Sequence, residues 1–385
     1  MSKPTLIRIT TVPLSLEKLL SGQLHFMSSF YNVIAVSSDK ERLERYGESE
    51  KVAVFPLEMT RQITPIQDVL AVFKLYFFLK KTKPFIVHTH TPKAGIVGML
   101  ASKLARVPHR LHTVAGMPLL EQAGFKRMVL NFVEKLTYSC ATKVYPNSFI
   151  LRDVIIENKY CPSTKLKVLA NGSSNGIDTS YFDTSHFSDD QKGSLKQGLG
   201  IKSSDFVFIF VGRIVSDKGI NELISAFSEI QESKTDIKLL LVGPYEPELD
   251  PLKEETLIQI NANKSIFSVG YQDEVRPYFA ISDCLVFPSY REGFPNVVMQ
   301  AGAMGLPCIV SDINGCNEII EDTKNGYIIP VKDKQAIKVA LLNILENNQQ
   351  YSKMQQHARA MIVSRFDQKL MWESILQEYR NFEAK

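Results

Sequence analysis

Phe206-Val207-Phe208-Ile209-Phe210-Val211-Gly212-Arg213-Ile214-Val215-Ser216-Asp217-Lys218-Gly219 is an apolar run ended by a glycine, with two cations five positions apart just beyond it. Alternating aromatic and β-branched residues read as a strand buried on both faces, and the amphipathic pattern of 219–231 reads as its crossover helix. A buried strand turning through glycine into a helix is the opening of a parallel βαβ unit. The alternation continues outward in both directions. Downstream it predicts strands at 238–242, 265–269, 284–288, 308–311 and 327–330, a helix at 296–304 and three closing helices. Upstream it predicts strands at 5–12, 33–37, 51–56, 85–89, 110–114, 143–146 and 167–169. Helices are expected between them at about 64–81, 95–105, 125–140 and 148–159. Residues 171–204, rich in Ser, Asp, Asn and Gly, break the rhythm and read as a linker.

Two such series imply an α/β chain of two Rossmann-like domains, and 385 residues suffice for two cores. The expected division is 1–185, 186–365 and a closing helix 366–385 that packs back towards the first domain. A cleft between two such domains is a favoured place for a ligand.

Hydrophobic residues make up 44% of the chain and charged residues 22%, which excludes a disordered, collagenous or coiled-coil protein. No apolar run reaches the roughly 18 residues of a spanning helix. The opening Met1-Ser2-Lys3-Pro4 does not lead into a signal peptide. Five cysteines without a Cys-x-x-Cys pair argue against zinc and disulfides, and so for a reducing cytoplasm. The net charge of +4 is unevenly spread: residues 61–167 carry 17 Lys and Arg against 5 Asp and Glu. Such a basic region suits a phosphorylated ligand or an anionic membrane surface, or is simply an uneven solvated face. No recognisable module indicates nucleic acid.

Three segments carry chemistry. Arg213 and Lys218 flank a helix start, where unpaired N–H groups and two cations suit a phosphate, though surface charge alone would explain them. Pro288-Ser289-Tyr290-Arg291-Glu292-Gly293-Phe294-Pro295-Asn296-Val297-Val298-Met299-Gln300 follows a strand and enters a helix. It places Glu292 where open α/β sheets bind ligands, either to accept from sugar hydroxyls or only to favour the helix dipole. Asp312-Ile313-Asn314-Gly315-Cys316-Asn317-Glu318 repeats the strand–glycine–helix arrangement, with Cys316 read as a packed residue rather than a nucleophile.

In this order the three segments resemble the C-terminal half of the retaining glycosyltransferases of family 4, which have the GT-B fold of two Rossmann-like domains facing each other across a cleft. The resemblance covers most of 205–345, and extends more loosely to Val87-His88-Thr89-His90 and the helix around Gly95. It implies that Arg213 and Lys218 hold a nucleotide diphosphate and that Glu292 contacts the donor sugar. Gly212, Gly293, Phe294, Pro295 and Asn296 would surround that donor, with Tyr271 beside the base. Gln300 stands where the family has a ribose-binding Glu. Gly22 lies in a loop expected to touch donor or acceptor. Ala115 occupies the position of a family histidine. His112, three residues earlier, either substitutes for it or is a core residue.

The implied reaction moves a sugar from a nucleotide-sugar, expected to be a UDP-sugar, to a glycan acceptor with retention of configuration. The acceptor is expected to be polyprenyl-diphosphate-linked, as in bacterial surface-polysaccharide assembly. The enzyme would be cytoplasmic and peripheral on the membrane's inner face. No cofactor and no metal are expected: the chain has no Asp-x-Asp, and His88 and His90 lack a carboxylate partner. The alternatives are a nucleotide-sugar epimerase on the same fold, transfer to a soluble acceptor, and a non-catalytic binding protein. A dinucleotide dehydrogenase would need Gly-x-Gly-x-x-Gly after a first strand, which neither domain has. Finally, 74–81 and 125–138 mix bulky apolar with basic residues, suiting either an anionic lipid face or ordinary core with solvated lysines.

Overall fold

The computed structural model describes residues 3–60, 62, 64–117 and 123–384. Met1 and Ser2, at the start expected to carry no leader, lie outside the described residues. The chain forms two units, Met1–Gly176 with Lys369–Lys385, and Ile177–Gln368.

The first unit is built on β1 (Thr5–Ile9), β2 (Asn32–Ser37), β3 (Ala53–Pro56), β4 (Ile86–His90), β5 (His109–Val114) and β6 (Lys143–Pro146). They pair in the order β3-β2-β1-β4-β5-β6, all parallel. Both faces are covered, so the strands are buried along most of their length, with polar Arg8, His88, His90 and His112 among the apolar residues. Helices Pro65–Thr82, Pro92–Leu104 and Gly124–Cys140 bury Val72, Leu75, Leu79, Val97 and Tyr138 in one core. Helices Pro13–Leu19, Gln23–Ser28, Lys40–Glu50 and the closing Gln368–Glu383 bury Leu16, Leu24, Leu43, Met371 and Tyr379 in another.

The second unit repeats the plan with β7 (Phe206–Val211), β8 (Ile237–Val242), β9 (Ile266–Ser268), β10 (Cys284–Phe287), β11 (Cys308–Ser311) and β12 (Gly326–Ile329). Their order is β12-β11-β10-β7-β8-β9, again parallel. Phe208, Phe210, Phe227 and Phe279 are fully buried at its centre.

The structure adds helices that the pattern reading did not include, Pro13–Leu19, Gln23–Ser28, Lys40–Glu50 and Glu254–Ala262, and ends the first strand at Ile9 instead of 12. It departs further in three places. Residues 167–169 are not a strand. Lys167 N–H donates to Val144 O at 3.1 Å, but the next rung would need an N–H from Pro146, which has none. The expected linker contains the helix Asp189–Gly198, started by a reciprocal cap between Ser188 and Gln191; it buries no residue, so it carries no apolar period. The passage between units falls at Gly176 and Ile177 instead of 185/186, because 177–183 is bound into the second unit. Ile177 and Phe182 enter its core, and the Arg359 guanidinium donates to Phe182 O at 2.8 Å and Thr179 O at 2.9 Å.

Candidate functional site

In the second unit the strand order reverses at β7 and β10, the position where open α/β sheets bind ligands outside their carboxyl ends. The loops leaving these two strands touch. Gly219 opens the helix Ile220–Gln231 at φ +71°, and a Cβ on it would stand 2.2 Å from the Pro288 carbonyl oxygen. Only glycine allows both that conformation and that approach. The contact delivers Lys218 to the β10 loop, where its Nζ lies 2.6 Å from Glu292 Oε1. Ser289 Oγ completes the cluster, 3.0 Å from Glu292 Oε1 and 3.4 Å from Lys218 Nζ. Both charged side chains are mostly covered, at 12% and 19% exposure, so neither charge is well hydrated without the other.

The other sequence-derived residues lie around this pair. Arg213 NH1 donates to Glu246 Oε2 at 3.0 Å, with both side chains a third or more exposed. Such a pair is weak and easily exchanged for a better anion. Gly212 N–H is used by the sheet, donating to Val242 O at 2.9 Å. The Gly293 carbonyl accepts from Asn314 Nδ2 at 2.5 Å, which ties the β10 loop to the β11 loop. Phe294 packs on Phe366, the ring centroids 5.6 Å apart. Pro295 begins the helix Asn296–Ala303, which no side chain caps, so its first N–H groups are suited to an anion.

Gln300 is half-buried on the second turn of that helix. Gln300→Glu is expected to hold or modestly raise nucleotide affinity, because a carboxylate accepts from ribose hydroxyls more strongly than an amide. Calorimetric titration with nucleotide checks this, and loss of binding would place Gln300 away from the ribose. Tyr271 stands 62% exposed past the end of β9, two strands from β7. Cys316 is fully buried, and burial together with the nearby Glu292 charge pushes its thiol well up, leaving it unreactive.

Gly22 and His112 belong to the first unit. Gly22 (φ +74°) packs on Trp372, whose ring would lie 2.8 Å from an added Cβ, and its N–H donates to Glu50 Oε1 at 2.8 Å. His112 is 3% exposed, its Nδ1 2.8 Å from Thr89 Oγ1 and its ring against Gly95. It is thus a core residue, yet it also lines an open pocket of about 190 Å³ with Thr91, Ala115, Gly116 and Glu134. Burial lowers His112 to about 4 and raises Glu134, so the pocket pushes both groups towards their uncharged forms.

His88 and His90 are committed to a buried network. Arg8, fully buried, donates to Tyr379 Oη at 2.7 Å and Gln23 Oε1 at 2.5 Å and lies 2.8 Å from His90 Nε2. His88 bridges Tyr379 Oη at 2.6 Å and Thr113 Oγ1 at 2.7 Å. Burial and the Arg8 charge hold both imidazoles well below their usual range. Among the described residues no three of His, Cys, Asp and Glu gather as a metal ligand set.

Sequence reasoning left Ser289, Asn314, Glu246, Arg8 and Glu134 without roles. Ser289 and Asn314 lay within the quoted segments but are common loop residues. Nothing in the sequence connects Glu246 to Arg213, 33 positions away, or marks Arg8 within an apolar strand.

Comparison with known proteins is consistent across both units. Residues 25–172 match the family model described as a glycosyl transferase 4-like domain, and 191–361 match that of the glycosyl transferases group 1. The chain is 31% identical to the Capsular polysaccharide biosynthesis glycosyltransferase CapM of Staphylococcus aureus, over 99% of this chain and 98% of that protein. It is 30% identical to the UDP-Gal:alpha-D-GlcNAc-diphosphoundecaprenol alpha-1,3-galactosyltransferase of Escherichia coli, over 88% and 86% of the two chains. Its fold is that of Anabaena HepE, solved in complex with UDP and glucose, with a TM-score of 0.81, 18% identity and coverage of 98% and 100%. The likeness shows the GT-B architecture. No helix among the described residues is long and apolar enough to cross a membrane.

Proposed function

The chain belongs to the group 1 glycosyl transferases with a 4-like N-terminal domain, and from this membership we propose that it moves a sugar from a UDP-sugar to a polyprenyl-diphosphate-linked glycan, with retention of configuration, in surface-polysaccharide assembly. The observation that carries the donor site is the Lys218–Glu292 pair beside Ser289 at the carboxyl ends of β7 and β10. The donor and acceptor classes are supported by what the relatives are named for: capsule synthesis in one, UDP-Gal and a diphosphoundecaprenol acceptor in the other.

The donor diphosphate takes Lys218 from Glu292 and Arg213 from Glu246. Glu292, released, accepts from hydroxyls of the sugar. The helix start at Asn296 donates to phosphate oxygens, Gln300 meets the ribose, and Tyr271 lies by the base. As the bond from the anomeric carbon to the phosphate oxygen breaks, negative charge grows on the diphosphate. Lys218 and the helix N–H groups stand ready for it and Arg213 swings across from Glu246 to join them, which is the largest kind of catalytic stabilisation such a site offers. An acceptor hydroxyl attacks from the side the diphosphate leaves, and its proton passes to the departing phosphate oxygen. No protein nucleophile takes part. The first unit holds the acceptor.

The test is incubation of the purified chain with labelled UDP-, GDP- and ADP-sugars and a short-prenyl diphosphate-linked sugar, with the anomeric configuration of the product read by NMR. Release of an epimerised nucleotide-sugar without transfer would replace this reading with epimerisation. Inverted product would refute retention. Transfer is further expected to persist in excess EDTA, because two cations stand where metal-dependent enzymes place their ion. A rate that falls to background and returns with Mg²⁺ or Mn²⁺ would overturn that expectation.

A further inference from the structure

The pocket of about 190 Å³ in the first unit opens at the carboxyl end of β5, between Thr91, Pro92, His112, Val114, Ala115 and Glu134. Carboxyl strand ends are where open α/β sheets bind ligands. The residues given to the donor's diphosphate and ribose, Arg213, Lys218 and Gln300, all belong to the second unit.

Two polar side chains line this pocket with hydrogen-bonding capacity to spare. Glu134, on the helix Gly124–Cys140, is 8% exposed and has the Tyr138 hydroxyl of its own helix beside it. One phenol does not fill a carboxyl group's lone-pair positions, so acceptor capacity remains on the side that meets the pocket. At His112 the tautomer follows from its neighbours. Thr89 Oγ1 donates to Leu111 O at 3.4 Å and so accepts the Nδ1–H of His112 at 2.8 Å. Burial keeps the imidazole neutral at pH 7, so its Nε2 holds a lone pair, and no donor among the described residues reaches it. The turn forming the opposite wall is strained. Thr91 stands at φ +73°, rare for a β-branched residue, and Thr11 N–H holds it there by donating to Thr91 Oγ1 at 3.2 Å. Strain of this kind clusters at ligand clamps.

The lining selects the ligand. Among the described residues it holds no Lys or Arg, and its one acid repels phosphate, so a diphosphate does not suit it. Two acceptors call for O–H donors. Pro92, Val114 and Ala115 offer an apolar wall to ring C–H groups. A neutral ring bearing several hydroxyls meets all three conditions. We propose that this pocket holds the terminal sugar of the acceptor, with Glu134 and His112 Nε2 accepting from two of its hydroxyls and so selecting which sugar is extended. The proposal rests on the reading of the first unit as the acceptor-binding one. Sugar binding measured without donor tests the pocket separately from that reading.

The experiment titrates the full chain, free of nucleotide, with the methyl α-glycosides of glucose, galactose, mannose and N-acetylglucosamine, followed by saturation-transfer NMR. At least one is expected to bind. Glu134→Leu, which removes both acceptor oxygens, and Ala115→Leu, which fills the space, are each expected to weaken that binding about tenfold or more. Glu134→Gln, which keeps one acceptor oxygen, is expected to weaken it less. Calorimetric binding of UDP and the thermal unfolding midpoint should stay as in the wild type. In the transfer assay the same variants should raise KM for the prenyl-diphosphate-linked sugar and leave that of the UDP-sugar unchanged. Binding of none of the four glycosides, or equal binding by wild type, Glu134→Leu and Ala115→Leu, overturns the proposal. So does a rise confined to the KM of the UDP-sugar, which gives the pocket to the donor's sugar instead. Glycoside binding that responds to the variants in a chain that shows no transfer keeps the pocket and removes the reading of the reaction.

Discussion

Lys218→Ala is expected to lower kcat by about two to three orders of magnitude while the protein stays folded, and Arg213→Ala is expected to lower it by about two or more. Removing one preorganised donor aimed at developing charge typically costs roughly 2.7–4 kcal/mol of transition-state stabilisation. The two should differ in character. Lys218 is largely covered and fixed by Glu292 and Ser289, so its place is set before the donor arrives. Arg213 is exposed and paired with Glu246, so it must first move. Lys218→Ala should therefore act on kcat, and Arg213→Ala on kcat and KM together. Steady-state kinetics with the nucleotide-sugar that the transfer assay identifies as donor, alongside thermal unfolding, read this out. Wild-type kcat in both variants would remove the diphosphate from this place.

Stability is expected to fall as pH drops from about 6.5 to about 4, before the carboxylates of the surface ion pairs titrate. His112 is lowered from its ordinary 6.5 to about 4 by burial. A depressed group contributes stability that is full above its unfolded value and is lost as pH falls towards its folded one. The folded state resists a proton that the unfolded chain accepts. For His112 the whole effect amounts to roughly 3 kcal/mol. His88 and His90, lowered by burial and by Arg8, act in the same direction. Glu134 is raised by burial, so its contribution runs the opposite way and is lost as pH rises. The ion-paired Glu229 and Glu274, lowered to about 2, lose their contribution only between about 4.5 and 2, a separate window. Urea unfolding at half-unit steps from pH 7.5 to 4.5 measures the slope, and His112→Gln should flatten it. An unfolding free energy constant from pH 7 to 5 would contradict the burial of three neutral imidazoles.

The elements most legible in the sequence are the central parallel strands. Residues 206–211 form β7 to the residue, because a strand covered on both faces must be apolar throughout and a glycine ends it. The strand-end placement of Lys218 and of Glu292 was equally legible, since each follows a recognisable strand and precedes a helix. The helix Asp189–Gly198 was not legible, because it buries nothing and so has no period, and only its Ser188–Gln191 cap announces it.

Tertiary structure alone decided which residues meet. Lys218 and Glu292 are 74 positions apart, and their pairing depends on Gly219 lying against the Pro288 carbonyl, a contact between two strand ends that no local pattern encodes. Arg8 sits in an apolar strand and finds Tyr379 only because the last helix returns to the first sheet. In the stretch Lys74-Leu75-Tyr76-Phe77-Phe78-Leu79-Lys80-Lys81 five successive residues are apolar or aromatic, so the helical period cannot say which face is inside. The sheet beneath selects Leu75 and Leu79 for the core and leaves Phe77 in solvent. Composition determines that such a helix is amphiphilic. Which residues it offers outward is settled only when the rest of the layer packs against it.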